Sequence, residues 1–270
     1  MIIDAHAHIW RHPIDGRTAT AEALQQAMAG AGVECALVIA GEIPGYDSLP
    51  STEELINLLD SHKNLFAIAA ASPSTLTPQY LKKLEQYIKE GKIKGVKLYL
   101  GYEHYYPADE RLIPLYELAE QMVVPVVFHT GFFWDPDNEG LAKYANPLGI
   151  DEVAVQFPKL NIVIAHMGNP WIVDCAVVAQ KNPNVYIDVS GYFTEFVAPF
   201  SEEERGMFIQ DLKKLHGLIG PYRKLLYGTD WPLCDMKEYV TIASKIPMTE
   251  EERGLFFWEN AARLFNLSRP

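Results

Sequence analysis

The sequence predicts a (β/α)8 (TIM) barrel, and three observations carry that expectation. Apolar runs of strand length alternate with amphipathic stretches about every 30 residues. Eight such units fill 270 residues, somewhat above the roughly 250 of a typical closed barrel. Five residues of ligand type, His6, His8, His129, His166 and Asp230, lie at the ends of those apolar runs. An open doubly wound sheet would keep the ends of strands one, five, six and eight apart. Closure places strand eight beside strand one and lets them converge. The expectation is one barrel domain over residues 1–270.

The elements follow in order. Apolar runs at 2–8, 35–41, 65–71, 93–100, 125–129, 161–166, 184–190 and 224–230 are nearly continuous, as in parallel strands buried on both faces. Helical periodicity fills the intervals: Ala21–Ala31, Thr52–His62, Pro78–Gly91, Glu110–Met122, Leu148–Phe157, Trp171–Asn182 and Glu202–Leu218. Met236–Lys245 and Glu250–Phe265 form a last helical region in two pieces.

Strand parity then places the side chains. Residues i and i+2 share a face, so in Asp4-Ala5-His6-Ala7-His8 the two histidines project together, with Asp4 beside them. Leu226, Gly228 and Asp230 share a face on the last strand. Lys97 has the opposite parity to Val96 and Leu98, which are read as facing the helices, so its ammonium points into the barrel. There it needs an anion or a modification. A lone histidine on an apolar strand is usually a packed core residue; five ligand types at one rim point to a metal centre, where barrel enzymes carry their chemistry.

Composition narrows the function classes. The formal charge of −12 argues against nucleic acid as a partner. No apolar run approaches the ~18 residues of a membrane span, and no secretory pattern precedes the first strand. Three cysteines without a C-x-x-C pair suit a reducing compartment. A cytoplasmic enzyme acting on a small molecule is expected, with self-association left open.

The D-x-H-x-H opening, Phe128-His129-Thr130-Gly131, Ala165-His166-Met167-Gly168, Tyr227-Gly228-Thr229-Asp230-Trp231-Pro232 and the closing Glu259-Asn260-Ala261-Ala262-Arg263-Leu264-Phe265 together resemble the amidohydrolase superfamily. The likeness is strongest to its amidohydrolase-related branch, which includes lactonases and non-oxidative decarboxylases. The resemblance implies a divalent ion on His6, His8, His129 and Asp230, usually zinc, with manganese as another fit. It implies His166 beside the reacting centre as an acid, base or polarising group. In two-ion relatives a carboxylated lysine on strand four bridges the ions; with Lys97 there, two ions remain open while one is favoured.

Neutral imidazoles and one carboxylate suit such an ion, which lowers the pKa of water from ~15.7 towards ~7. Asp230 would accept the proton and return it to the leaving group, and His166 would act on carbonyl or water. This predicts hydrolysis of a small amide, lactone or ester. The alternative is a decarboxylase that protonates a ring carbon on the same centre. Deoxyribonucleases with a similar opening carry a glutamate where Lys97 stands.

Loop residues expected to touch substrate are Arg11 as a carboxylate clamp, together with Lys97, Tyr99, His104, Tyr105 and Trp134. Trp10, His12, Phe132, Phe133, Tyr192 and Phe193 are further loop candidates, and Glu42 is placed loosely towards the pocket. Cys234, His62 and His216 read as packing residues.

Overall fold

The eight apolar runs fold as parallel strands of one sheet: β1 Ile3–Ala7, β2 Cys35–Ile39, β3 Leu65–Ala71, β4 Ile93–Leu98, β5 Val126–Phe128, β6 Ile162–Ile164, β7 Val185–Asp188 and β8 Leu225–Leu226. A computed structural model describes residues 1–14, 16–43, 47–134, 139–193, 200–220 and 222–268. Each strand pairs with the next in sequence order. The ring is joined by the chain beyond β8, where Ala5 N–H donates to the Tyr227 carbonyl at 2.9 Å. Asp230 N–H donates to the His6 carbonyl at 2.8 Å, and His8 N–H to the Trp231 carbonyl at 2.7 Å. This is the (β/α)8 barrel.

Helices α1 Ala21–Ala31, α2 Thr52–Leu59, α3 Pro78–Lys89, α4 Ile113–Met122, α5 Ile150–Gln156, α6 Ile172–Lys181, α7 Glu202–Ile219 and α8 Met236–Ser244 occupy the intervals. Their starts are chemically marked. Thr20, Ser51, Thr77, Ser201 and Asp235 each accept a hydrogen bond from a first-turn N–H, satisfying a donor that helix geometry leaves unpaired. Among the described residues no helix is long and apolar enough to cross a membrane.

Two departures from the expected boundaries have physical causes. The eighth apolar run was expected to reach residue 230, but regular strand ends at Leu226 and the backbone turns left-handed at Asp230, with φ 66°. The closing helical region is not continuous either. α9 Glu250–Gly254 and α10 Asn260–Leu264 flank a π turn at Leu255–Glu259. The wider turn exposes backbone for other use, and the Phe256 carbonyl accepts from Tyr227 N–H at 3.1 Å. The last helix is thereby fastened to the strand that delivers Asp230.

Candidate metal centre

Buried side chains from the ends of β1, β4, β7 and the turn after β8 meet at the C-terminal mouth of the barrel. His6 and His8 project from the same face of β1, as parity requires, and both are buried. His6 Nδ1 lies 3.0 Å from Asp188 Oδ2, and His8 Nδ1 lies 3.2 Å from the Ile39 carbonyl. These acceptors place an N–H on Nδ1 of both rings and leave each Nε2 turned inward, where an ion would take its lone pair. Asp230 Oδ1 stands 3.2 Å from His8 Nε2 and 3.5 Å from His6 Nε2.

Three acceptors therefore point at one another. Lone pairs so placed repel unless a cation lies between them, and one donor atom from each residue falls within 4.8 Å of the other two. His129 supplies a fourth argument: its Nε2 is buried without a hydrogen-bond partner, which is costly unless something binds it. The donor set of imidazoles and one carboxylate fits a zinc-type ion.

Electrostatics keep these groups in metal-binding form. Burial, followed by the charge of Lys97, lowers the His6 pKa to about 3 against the pull of Asp188. Burial and the neighbouring His166 and Lys97 push His129 well below the ordinary imidazole value. His166 is lowered chiefly by burial, with Lys97 adding to it against Asp230 and Asp188. Burial works against an ionised Asp230, but its contacts with His8, His6 and His166 outweigh it and hold the carboxyl below the usual range.

Lys97 points inward, as its parity requires. Its Nζ is 3.4 Å from His6 Nε2 and 5.4 Å from the centre of the Tyr99 ring, and burial lowers its pKa to about 8. His166 stands in the turn just after β6 and is left-handed, φ 61°, followed by Met167 at 54°. Its Nδ1 faces the Ser190 carbonyl at 3.3 Å and the Ser190 hydroxyl at 3.0 Å. Its ring centre is 4.7 Å from that of His6 and 4.9 Å from that of His129. Backbone strain of this kind costs about 1–3 kcal/mol per residue and persists only where neighbours enforce it.

The enforcing neighbours include two aspartates. Asp188, at the end of β7, was missed in the sequence despite closing an apolar run. Its Oδ2 holds His6, and its Oδ1 accepts from His166 N at 3.2 Å, from Ser190 N at 3.0 Å and from the Ser190 hydroxyl. Asp4 accepts from His6 N at 3.1 Å, Thr229 N at 2.9 Å and the Thr229 hydroxyl at 2.5 Å, tying β1 to the turn that carries Asp230. Gly191, just after β7, packs directly against the site. At its φ of 59°, an added Cβ would stand 2.7 Å from His166 Nδ1 and 2.8 Å from Asp230 Oδ2.

Above the polar floor opens a cleft whose walls include Trp10, Tyr99, Tyr102, Phe132, Trp134 and Leu233. The expected substrate contacts divide here. Lys97, Tyr99 and Trp134 line the cleft; Arg11, His104 and Tyr105 do not. Arg11 pairs with Glu54 through both Nε and Nη2, and donates to the Asp47 carbonyl, because α2 offers it a carboxylate outside the cleft. His104 Nε2 lies 2.9 Å from the Glu139 carbonyl, and its ring stacks on Tyr144. Tyr105 is buried beside the loop. Glu42 turns away to accept from Thr52 N and the Tyr80 hydroxyl. Tyr192 and Phe193 pack against Phe208, and Cys234 donates to the Phe193 carbonyl, all as filler.

The profile of the family described as amidohydrolase matches residues 3–267. The chain belongs to the amidohydrolase family. Solved structures similar to this amidohydrolase include a zinc-bound amidohydrolase from Burkholderia multivorans, at 16% identity and TM-score 0.74, covering 99% of this chain and 100% of that one. Another is 5-carboxyvanillate decarboxylase from Sphingomonas paucimobilis, at 14% identity and TM-score 0.73, covering 99% of each chain. A third is a probable 2-pyrone-4,6-dicarboxylic acid hydrolase from Acinetobacter baumannii, at 18% identity and TM-score 0.72, covering 98% and 99%. At these identities the likeness speaks for the fold. No curated protein matches the sequence.

Proposed function

We propose that this amidohydrolase hydrolyses a small-molecule lactone, ester or amide at a centre of one divalent ion, zinc or manganese, held by His6, His8, His129 and Asp230. The observation that carries the reading is the convergence of three ligand atoms, His6 Nε2, His8 Nε2 and Asp230 Oδ1, within 4.8 Å. An ion bound there supplies a water of lowered pKa and polarises a carbonyl.

The protein's own groups do the rest. Asp230, held ionised, takes the proton of the attacking water on a carboxylate oxygen and returns it to the leaving group. His166, neutral with its Nδ1–H turned to the Ser190 carbonyl, keeps Nε2 available to the reacting oxygen. Lys97 balances the ionised Asp188 and Asp230 on the floor. Trp134 and Tyr99 bound the space for the substrate body. Three free, buried cysteines agree with a cytoplasmic setting. Decarboxylation on the same floor is the second reading, favoured by the several decarboxylases among the structural neighbours.

The deciding experiment measures metal content and turnover together on His166→Ala. Metal content unchanged from that of the wild type, at one equivalent in each, with rate lower by about 10²–10⁴-fold, is the expected result. Loss of about one equivalent would instead assign His166 as a ligand of a second ion. Release of carbon dioxide from an aromatic acid, with no hydrolysis of lactones, esters or amides, would overturn the hydrolase reading.

A further inference from the structure

We infer that the cleft selects a substrate whose body is a flat, uncharged ring, and rejects one that carries a second anionic group beyond the reacting carbonyl. The inference rests on the hydrolase reading and names its substrate class.

The aromatic wall is built rather than incidental. Trp10 and Trp134 lie nearly parallel, 11° between planes and 6.4 Å between ring centres. Trp134 N–H donates to the Tyr102 hydroxyl at 2.9 Å, and that hydroxyl lies 3.4 Å from the Trp134 carbonyl. Tyr102 in turn meets Phe133 edge-on, with ring centres 5.1 Å apart. With the Trp134 backbone tied to Tyr102 and its ring packed on Trp10, the wall presents preorganised π-faces, which favour a planar partner at little further entropic cost.

Charge makes the complementary argument. Among the described residues, no arginine lines the cleft, and its lysine, Lys97, lies at the floor against His6. The guanidinium nearest in sequence, Arg11, is committed to Glu54. A carboxylate or phosphate placed away from the floor would lose its hydration against tryptophan and leucine, with no lysine or arginine among the described lining residues there to receive it. A dicarboxylate such as the one named for the Acinetobacter neighbour is therefore a poor fit.

The test uses calorimetric binding of hydroxamates to the zinc-loaded full chain, so that the body is varied while the ion-binding group is kept. Benzohydroxamate is expected to bind about 10-fold tighter than acetohydroxamate. Adding a carboxylate, as in 4-carboxybenzohydroxamate, should weaken binding by about 10-fold or more. Trp134→Ala should bring benzohydroxamate down to the level of acetohydroxamate without changing the latter, and Trp134→Phe should restore most of the difference. Equal affinity for the two parent hydroxamates, or a carboxylated probe as tight as benzohydroxamate, would overturn the inference. Preference for the aromatic probe without hydrolysis of any lactone, ester or amide would leave this inference standing and remove the hydrolase reading instead.

Discussion

The floor and the mouth of the cleft are built on opposite principles. The floor is a network of charged and polar groups at strand ends, with His6, His8, Lys97, His166, Asp188 and Asp230 all buried. Most of these side chains are held by a backbone atom or another charge. The mouth is made by loops and holds its shape through aromatic contacts such as Trp10 on Trp134. Floor changes should therefore act on metal and rate, whereas mouth changes should act on affinity or stability and spare the metal.

Asp230→Asn is the most severe break on the floor. It removes the ionised oxygen that faces both histidines, and turnover should fall by about 10³-fold or more. A steady-state assay that retained a tenth of wild-type rate would dissolve the distinction between floor and mouth. Asp188→Asn comes next. It touches no substrate, but it loosens the Nδ1 hydrogen bond that fixes the His6 tautomer, and zinc affinity should drop by about 10–100-fold in chelator competition. Unchanged affinity would mean that packing alone orients His6.

The mildest change belongs to the mouth. Glu103, on the loop after β4, has Oε1 at 3.5 Å from the Ser74 hydroxyl and Oε2 buried without a partner. Burial raises its pKa to about 7, with Ser72 and Ser74 opposing. A carboxyl with a raised folded-state pKa contributes stability that is present below about 4.5 and lost as pH rises through about 7. Glu103→Gln cannot ionise, so it should match the wild type near pH 4.5. At pH 8 it should exceed it by about 1 kcal/mol after allowance for partial exposure, or ~2–4 °C in Tm. Thermal scans at the two pH values, with metal content measured beside them, read both halves of the comparison. A gap that shrinks towards high pH would reverse the sign of this account.

The same division decided what the sequence could reveal. Period-two parity and termination of an apolar run place His6, His8 and Lys97 without knowledge of any loop, and His166 and Asp230 follow from strand ends. Asp188 carries the same signal, an acid closing Val185-Tyr186-Ile187, but it sits among interior hydrophobes and has no histidine next to it. Arg11, His104 and Tyr105 were unreadable for a different reason. A loop side chain goes wherever its best partner lies, and Glu54, the Glu139 carbonyl and the protein interior compete with the cleft. The left-handed turns at His166 and Asp230 were equally hidden, because they arise from tertiary ties such as Thr229 to Asp4 and not from local propensity.

The Asp4–Thr229 tie spans 225 positions of chain, and this bears on how the protein acquires its centre. His6 and His8 leave the ribosome well before their carboxylate partner, Asp230, is made. Long-range closure of this type is slow compared with local helix formation, and a partly made chain would carry two adjacent imidazoles without their carboxylate partner. Metal capture at full affinity thus waits until β1 meets the turn after β8 and Tyr227 engages the Phe256 carbonyl. A nascent chain stalled before Asp230 would be a barrel with an open seam and no mature centre.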